Sequence, residues 1–241
     1  MWTLIGSNLA SYAAFMARRL VVKWEPGEKV TARLSVPHDE SPVGVLLAHG
    51  AGAGQDHPFM VTLRDALAAQ GLTVMTFNYA YTEAGRRAPD RAPKLLAVHE
   101  AAADRLATYC DEVVVAGKSM GGRMGSHLVG DGGWPATALV YYGYPLVPIG
   151  KGEPRDSAHL ERISSPQLFF AGTRDRLSPP DMIRPLAAKL PAGDVEIIEG
   201  GDHSFKVPKA AGLTHDAVIA SLAGLTSRWV LQSRGLRSTR P

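Results

Sequence analysis

Short apolar runs without polar alternation recur along this chain, each followed by a glycine-rich or polar turn and then by an amphipathic stretch. Val43–Ala48, Leu72–Asn78, Val113–Ala116, Ala136–Tyr142 and Gln167–Ala171 read as strands buried on both faces, since a half-exposed strand would alternate. Lys29–Val36 does alternate and predicts an edge strand, and Val195–Glu199 predicts a last short one. Helical periodicity fills the gaps: Pro58–Gln70 (with Asp56 as its cap and Gly71 as its stop), then about 91–109, a segment after Ser119, 182–190 and 209–231. Strands alternate with helices almost throughout, and parallel strands need such crossovers. The expectation is one α/β domain with a mostly parallel, doubly wound sheet flanked by helices. No internal repeat, low-complexity tract or linker interrupts it.

The opening MWTLIGSNLASYAAFMARRL fits this rhythm least. Asn8 and Ser11 break its apolar run, and Arg18-Arg19 follow that run, whereas a secretory signal carries its charge in front. No stretch reaches the roughly 18 uninterrupted apolar residues of a membrane helix. Residues 1–25 therefore read as a poorly defined N-terminal extension, either disordered or loosely docked as an extra helix, and 26–241 as the domain.

Composition adds bounds. The 241 residues, 45% of them hydrophobic, can build a substantial single core. A net charge of +3 without any lysine or arginine run gives no nucleic-acid footprint. The single cysteine, Cys110, cannot form an internal disulfide, which fits a cytoplasmic protein.

The candidate chemistry centres on VVVAGKSMGGRMG, residues 113–125. A buried strand, a glycine-flanked serine and a helix are the context in which G-x-S-x-G becomes a nucleophile elbow, with Ser119 at its tip. Ligands in such folds bind at the carboxyl ends of the strands, so the residues just after each strand test the idea. After Val43–Ala48 comes His49-Gly50-Ala51-Gly52-Ala53-Gly54, small enough to let backbone N–H groups approach a substrate oxygen. After Gln167–Ala171 comes Asp175, and after Val195–Glu199 comes His203. The chain order serine, aspartate, histidine is that of α/β-hydrolases. In this reading Ser119 attacks an acyl carbon, His203 moves its proton and Asp175 orients the imidazole. The Ala51 and Met120 N–H groups form the oxyanion hole, where losing one donor costs roughly 3–4 kcal/mol.

The segments LLAHGAGAG (46–54), FNYAYTEAGRRAPDR (77–91), GKSMGGRM (117–124), YYGYPL (141–146), AGTRD (171–175) and GGDHSF (200–205) resemble an α/β-hydrolase of the dienelactone-hydrolase-like group. The chain looks closest to its small Tex/KANSL-type members, and the resemblance covers nearly everything beyond about residue 25. It implies the α/β-hydrolase fold and a cofactor-free hydrolase. Dienelactone hydrolase itself uses a cysteine nucleophile, so Ser119 departs from it and its lactone substrate is not carried over. Some members of the resemblance group serve as scaffolds, so a non-catalytic interaction module is one alternative. An acyltransferase on the same acyl-enzyme is another.

Two features bear on substrate. Little chain separates Pro145 from the strand at Gln167, where many α/β-hydrolases insert a lid, so no large lid domain and a small acyl substrate are expected. The loop Gly85-Arg86-Arg87-Ala88-Pro89-Asp90-Arg91 comes after a strand, and arginine forks suit carboxylates or phosphates. Arg86 and Arg87 are thus candidate contacts for an anionic substrate, against a solvated or internally paired arginine loop. Tyr144, in the YYGYPL segment, is a third candidate contact. His49 reads as structural, Lys118 as pointing away from the nucleophile, and Arg123 as a tie between helix and loop. Asp202 is a rival orienter of His203; His57, Arg155 and His159 are candidates to border the site, which their spacing alone does not decide. No zinc-like spacing, nucleic-acid partner or membrane contact is expected, and the protein reads as a monomer or small homo-oligomer.

Overall fold

A computed structural model describes residues 17–37, 41–150 and 152–238. Among them eight strands form one sheet: β1 (Arg18–Glu25), β2 (Glu28–Ser35), β3 (Val43–Ala48), β4 (Thr73–Phe77), β5 (Glu112–Lys118), β6 (Ala138–Tyr142), β7 (Gln167–Gly172) and β8 (Gly193–Ile198), in spatial order β1-β2-β4-β3-β5-β6-β7-β8. β1, β2 and β4 pair antiparallel in succession, and every pair from β4 to β8 is parallel. The carboxyl ends of β3, β5, β6, β7 and β8 therefore share one rim of the sheet.

The apolar runs of β3, β4, β6 and β7 are buried at every position because helices cover both faces. Side chains alternate between those faces. Val45 and Leu47 meet α1 (Pro58–Ala69) and α6 (His215–Ser238), while Leu46 and Ala48 meet α3 (Ala92–Ala107) and α4 (Met120–Gly130). The third cluster, under α5 (Pro180–Ala188), contains Ile183 and Ala187 against Leu139 and Phe169.

Four expectations are corrected here. Lys29–Val36 does not form the edge strand: β2 is covered on its outer side by β1, with Leu20 and Val22 facing inward and Val21 and Lys23 outward. The alternation of β1 merges with the apolar run before it, which hides the strand in the sequence. The N-terminal extension is accordingly shorter than residues 1–25, and residues 1–16 lie outside the described residues. The cap of α1 is His57, whose Nδ1 accepts from the Phe59 N–H at 3.3 Å; Asp56 pairs with Arg33 instead. The segment 209–231 is not one helix: Lys209–Ala211 is a 3-10 turn closed by Gly212 in the left-handed region, and α6 begins at His215. Between β6 and β7 the only helical piece among the described residues is the 3-10 turn Ala158–Arg162, so no lid covers the rim.

Side-chain hydrogen bonds fasten α6 to the sheet behind the site. Trp229 Nε1 donates to Asp194 at 2.8 Å, and the buried Tyr142 hydroxyl meets Thr226 Oγ1 at 2.8 Å while its ring stacks on Phe170. Tyr142→Phe keeps the ring and strands the Thr226 hydroxyl. It is expected to lower the unfolding free energy by about 1 kcal/mol in urea denaturation, whereas an unchanged midpoint would show that this contact contributes nothing.

Candidate active site

Ser119 joins β5 to α4 with φ 50° and ψ −116°, a conformation that costs a non-glycine residue about 1–3 kcal/mol. Its neighbours enforce the turn. A β-carbon on Gly117 would lie 2.2 Å from the Gly122 nitrogen, and one on Gly121 would lie 2.5 Å from the Ala48 oxygen. Both obstacles are main chain, so neither can swing aside. The close approach of the backbones is possible only with glycine at these two positions.

The serine meets its expected partners. Ser119 Oγ lies 2.9 Å from His203 Nε2, and His203 Nδ1 lies 2.8 Å from Asp175 Oδ2. The other Asp175 oxygen accepts from the N–H groups of Leu177 and Ser178 at 2.8 and 3.1 Å, which fixes a fully buried side chain. Burial raises the Asp175 carboxyl. The His203 hydrogen bond and charge, the Leu177 N–H and Lys118 outweigh it, so the group stays below the usual carboxylate range. Because Asp175 is an anion acceptor, His203 Nδ1 carries a proton towards it and Nε2 is free to accept from the serine.

Further close approaches gather these groups. Gly172 ends β7 where a β-carbon would strike the Gly201 oxygen at 2.1 Å, so the aspartate and histidine loops can touch. Asp202 accepts from the Ser204 and Lys206 N–H groups and so shapes the histidine loop; Asp175, not Asp202, meets His203. Gly143, at φ 70°, comes after β6 directly against the triad. A β-carbon there would lie 3.2 Å from Asp175 Oδ2, 3.3 Å from His203 Nδ1 and 3.3 Å from Lys118 Nζ. That residue escaped the sequence reading, because a glycine after a strand looks like any other turn.

His49 orders the loop after β3. Its Nδ1 lies 2.8 Å from the Gly50 oxygen and its Nε2 accepts from the Tyr79 N–H at 3.2 Å, so the neutral ring is held at both nitrogens. Burial, above the effects of the Gly50 bond and of His57, holds its pKa near 4. This loop leans on the elbow: a β-carbon on Gly50 would lie 3.6 Å from Ser119 Cβ. Ala51 sits next in that exposed turn, and Met120 is the first residue of α4, where N–H groups have no intrahelical partner.

The remaining expected residues are placed differently. Arg86 is tied to Asp90 at 2.6 Å, and Arg87 is exposed without an ion pair among the described residues. Their loop comes after β4, two strands from β5. Tyr144 is fully buried, its hydroxyl 3.4 Å from His159 Nε2, which itself lies 2.8 Å from Ser126 Oγ. It therefore offers no open face to a substrate. Lys118 does not point away from the triad. Its Nζ is buried without a hydrogen-bond partner, beside Gly143 and 5.7 Å from the Phe205 ring centroid, and burial lowers its pKa to about 8 against the charges of Asp175 and Asp202. Arg123 makes no hydrogen bond or ion pair through its side chain with any described residue, and its Nε is buried. Among the described residues no cluster of three or more His, Cys, Asp or Glu side chains could hold a metal ion, and no helix is long and apolar enough to cross a membrane. A cleft of about 550 Å³ next to Cys110 lies at the amino ends of β3 and β5, away from Ser119.

A strand, a strained serine and a helix on a doubly wound sheet define the α/β-hydrolase class. The chain belongs to the alpha/beta hydrolase domain family, whose model matches residues 41–231. Solved structures repeat the fold. Dienelactone hydrolase from Anabaena variabilis is similar at 20% identity and a TM-score of 0.69, over 90% of this chain and 98% of that one. An α/β serine hydrolase without lid from Xanthomonas campestris shows 15% identity and a TM-score of 0.68, over 90% and 94% of the two chains. Est1E from Butyrivibrio proteoclasticus, solved with ferulic acid bound, shows 14% identity and a TM-score of 0.71, over 90% and 99%.

Buried neutral histidines make this framework acid-sensitive. His49 is held near pKa 4 and His99, which meets the Tyr79 hydroxyl at 3.0 Å, near 3, chiefly by burial, against 6.5 in the unfolded chain. The unfolded state takes up protons that the folded state refuses, so stability is full above about pH 6.5 and falls as pH drops towards 4. By pH 4.5 the loss should be on the order of 2 kcal/mol for each of the two rings. Urea midpoints at pH 7.5 and 4.5 check it, and equal midpoints would contradict it.

Proposed function

We propose that this protein is a serine hydrolase that cleaves small carboxylic esters, thioesters included, through an acyl-enzyme on Ser119. The observation that carries the reading is the unbroken chain from Ser119 Oγ to His203 at 2.9 Å and from His203 to Asp175 at 2.8 Å. A serine hydroxyl is a weak nucleophile at neutral pH and needs a base within hydrogen-bond reach. As Ser119 Oγ attacks the acyl carbon, His203 Nε2 takes its proton and then gives it to the departing alkoxide or thiolate. Asp175 keeps the proton on Nδ1 and stabilises the imidazolium. The carbonyl oxygen, now an anion, turns towards the N–H groups of Met120 and Ala51 at the positive end of α4. A water molecule activated by the same histidine attacks the acyl-enzyme, and its proton returns through His203 to Ser119.

The preference for small acyl groups rests on the missing lid: among the described residues of 143–166 the only helical piece is a 3-10 turn. Without a covering domain there is no long apolar tunnel to offset the ordering of a fatty chain. The reading includes a cytoplasmic location, supported by a single, buried free thiol at Cys110. It also includes the closer kinship to Tex/KANSL-type members, supported by the GKSMGGRM and YYGYPL segments. A protein released from catalysis would be free to lose a member of the triad or relax its elbow, and neither has happened.

Hydrolysis of 4-nitrophenyl esters from acetate to dodecanoate tests the reading. The expected result is activity that falls beyond short chains, with kcat/KM lowered at least about 10³-fold in Ser119→Ala and Asp175→Asn. Full activity in Ser119→Ala would overturn it.

A further inference from the structure

A buried ammonium lies behind the triad, and the chemistry of Ser119, His203 and Asp175 gives it no task. Lys118 ends β5 in register with Tyr142, the last residue of β6, so the turn that begins at Gly143 starts beside it. Its stem passes the Gly50 turn, where a β-carbon would lie 3.8 Å from Lys118 Cγ, and its Nζ ends beside Gly143. There one point, the place of a Gly143 β-carbon, is 3.3 Å from Lys118 Nζ, 3.3 Å from His203 Nδ1 and 3.2 Å from Asp175 Oδ2. The ammonium therefore stands across that glycine from the hydrogen bond between His203 and Asp175.

No hydrogen bond holds this ammonium. Its Nζ is buried without an acceptor among the described residues, and the Phe205 ring, its centroid 5.7 Å away, offers a cation–π contact alone. Phe205 itself stands at φ 60°, a region that bulky residues rarely adopt, so the turn after His203 is strained where it brings that ring to the lysine. The groups that face Nζ come from four loops. The loop after β7 brings Asp175, and the loop after β8 brings His203 and the charge of Asp202. The loops after β3 and β6 bring the uncharged Gly50 and Gly143. An ammonium buried without an acceptor costs more than a methionine of similar length in the same space. What Lys118 supplies to the site is thus a field and not a hydrogen bond.

Resting on Ser119 as the nucleophile, we propose that Lys118 is a positioning residue that acts through charge: protonated, it opposes the positive charge that His203 takes up as Ser119 attacks, and so restrains the reaction. The proton leaves Ser119 Oγ for His203 Nε2, and the imidazolium so formed is attracted by Asp175 and repelled by Lys118. Asp175 does not depend on Lys118 in return. Its carboxyl is kept ionised first by the His203 hydrogen bond and charge and then by the Leu177 N–H, with Lys118 the least of these influences. Burial lowers the Lys118 ammonium to about 8, against the charges of Asp175 and Asp202. The restraint is therefore present at neutral pH and lifts as pH rises through that value. A unit charge this close to a forming imidazolium is enough for about a tenfold change in rate.

The rate of Ser119 labelling by a fluorophosphonate, followed from about pH 7 to about pH 9.5 in wild type and Lys118→Met, tests the restraint. Comparing the two at each pH removes the reagent's own dependence on pH. Lys118→Met is expected to label at least about fivefold faster at the neutral end and no faster at the alkaline end, where wild type has lost the charge. A variant equal to or slower than wild type at every pH, as a merely structural lysine requires, overturns the proposal. If Lys118→Met fails to fold, Lys118→Gln takes its place, and a wild-type rate that does not rise over this range overturns the proposal without any variant. Wild-type hydrolysis of 4-nitrophenyl acetate separates the two readings. Hydrolysis with equal labelling rates at every pH removes the role of Lys118 alone. A wild type that neither labels nor hydrolyses removes the nucleophile, and this proposal with it.

Discussion

Backbone packed against backbone at the elbow is the constraint on which the rest depends. Gly117 and Gly121 let the end of β5, the start of α4 and the end of β3 approach more closely than any β-carbon allows. The result is a serine lifted off the sheet at a helix N-terminus, held there at about 1–3 kcal/mol of local strain. The sheet offsets that strain, because β5 is central, paired on one side with β3 and on the other with β6. Gly172 applies the same device where the aspartate loop meets the histidine loop. The geometry of the candidate site is therefore a consequence of how tightly four loops can be drawn over one rim.

Electrostatics then assigns roles to similar side chains. Asp175 is buried yet kept ionised by His203, by N–H groups at 2.8 and 3.1 Å and by Lys118. His49 and His99 are buried without an anion and stay neutral, so they act as hydrogen-bonding struts. Burial beside charged partners keeps the carboxyl ionised, and burial beside a backbone carbonyl or a tyrosine hydroxyl keeps the imidazoles neutral.

Much of this was legible in the sequence because the fold places its chemistry after strands. Continuous apolar runs located β3 to β7, and the residues just beyond β5, β7 and the short run of β8 gave Ser119, Asp175 and His203, which the structure brings within hydrogen-bonding distance. The misreadings have local causes. β1 was lost because its alternation runs on from an apolar stretch, and the cap fell on Asp56 because aspartate is the commoner cap, although Pro58 sets the helix start one residue later. Arg86 looked available because its partner Asp90 only becomes a neighbour once the loop turns. Lys118 and Gly143 were not legible as site residues, since their meeting at the triad joins the ends of β5 and β6 in space.

Whether this geometry activates Ser119 is read most directly by covalent labelling with a fluorophosphonate, whatever the substrate. The expected result is one adduct per chain, mapped to Ser119 by mass spectrometry. Its formation should be abolished by Ser119→Ala and strongly slowed by His203→Ala. A folded wild type that stays unlabelled, or an adduct that persists in Ser119→Ala, would contradict it.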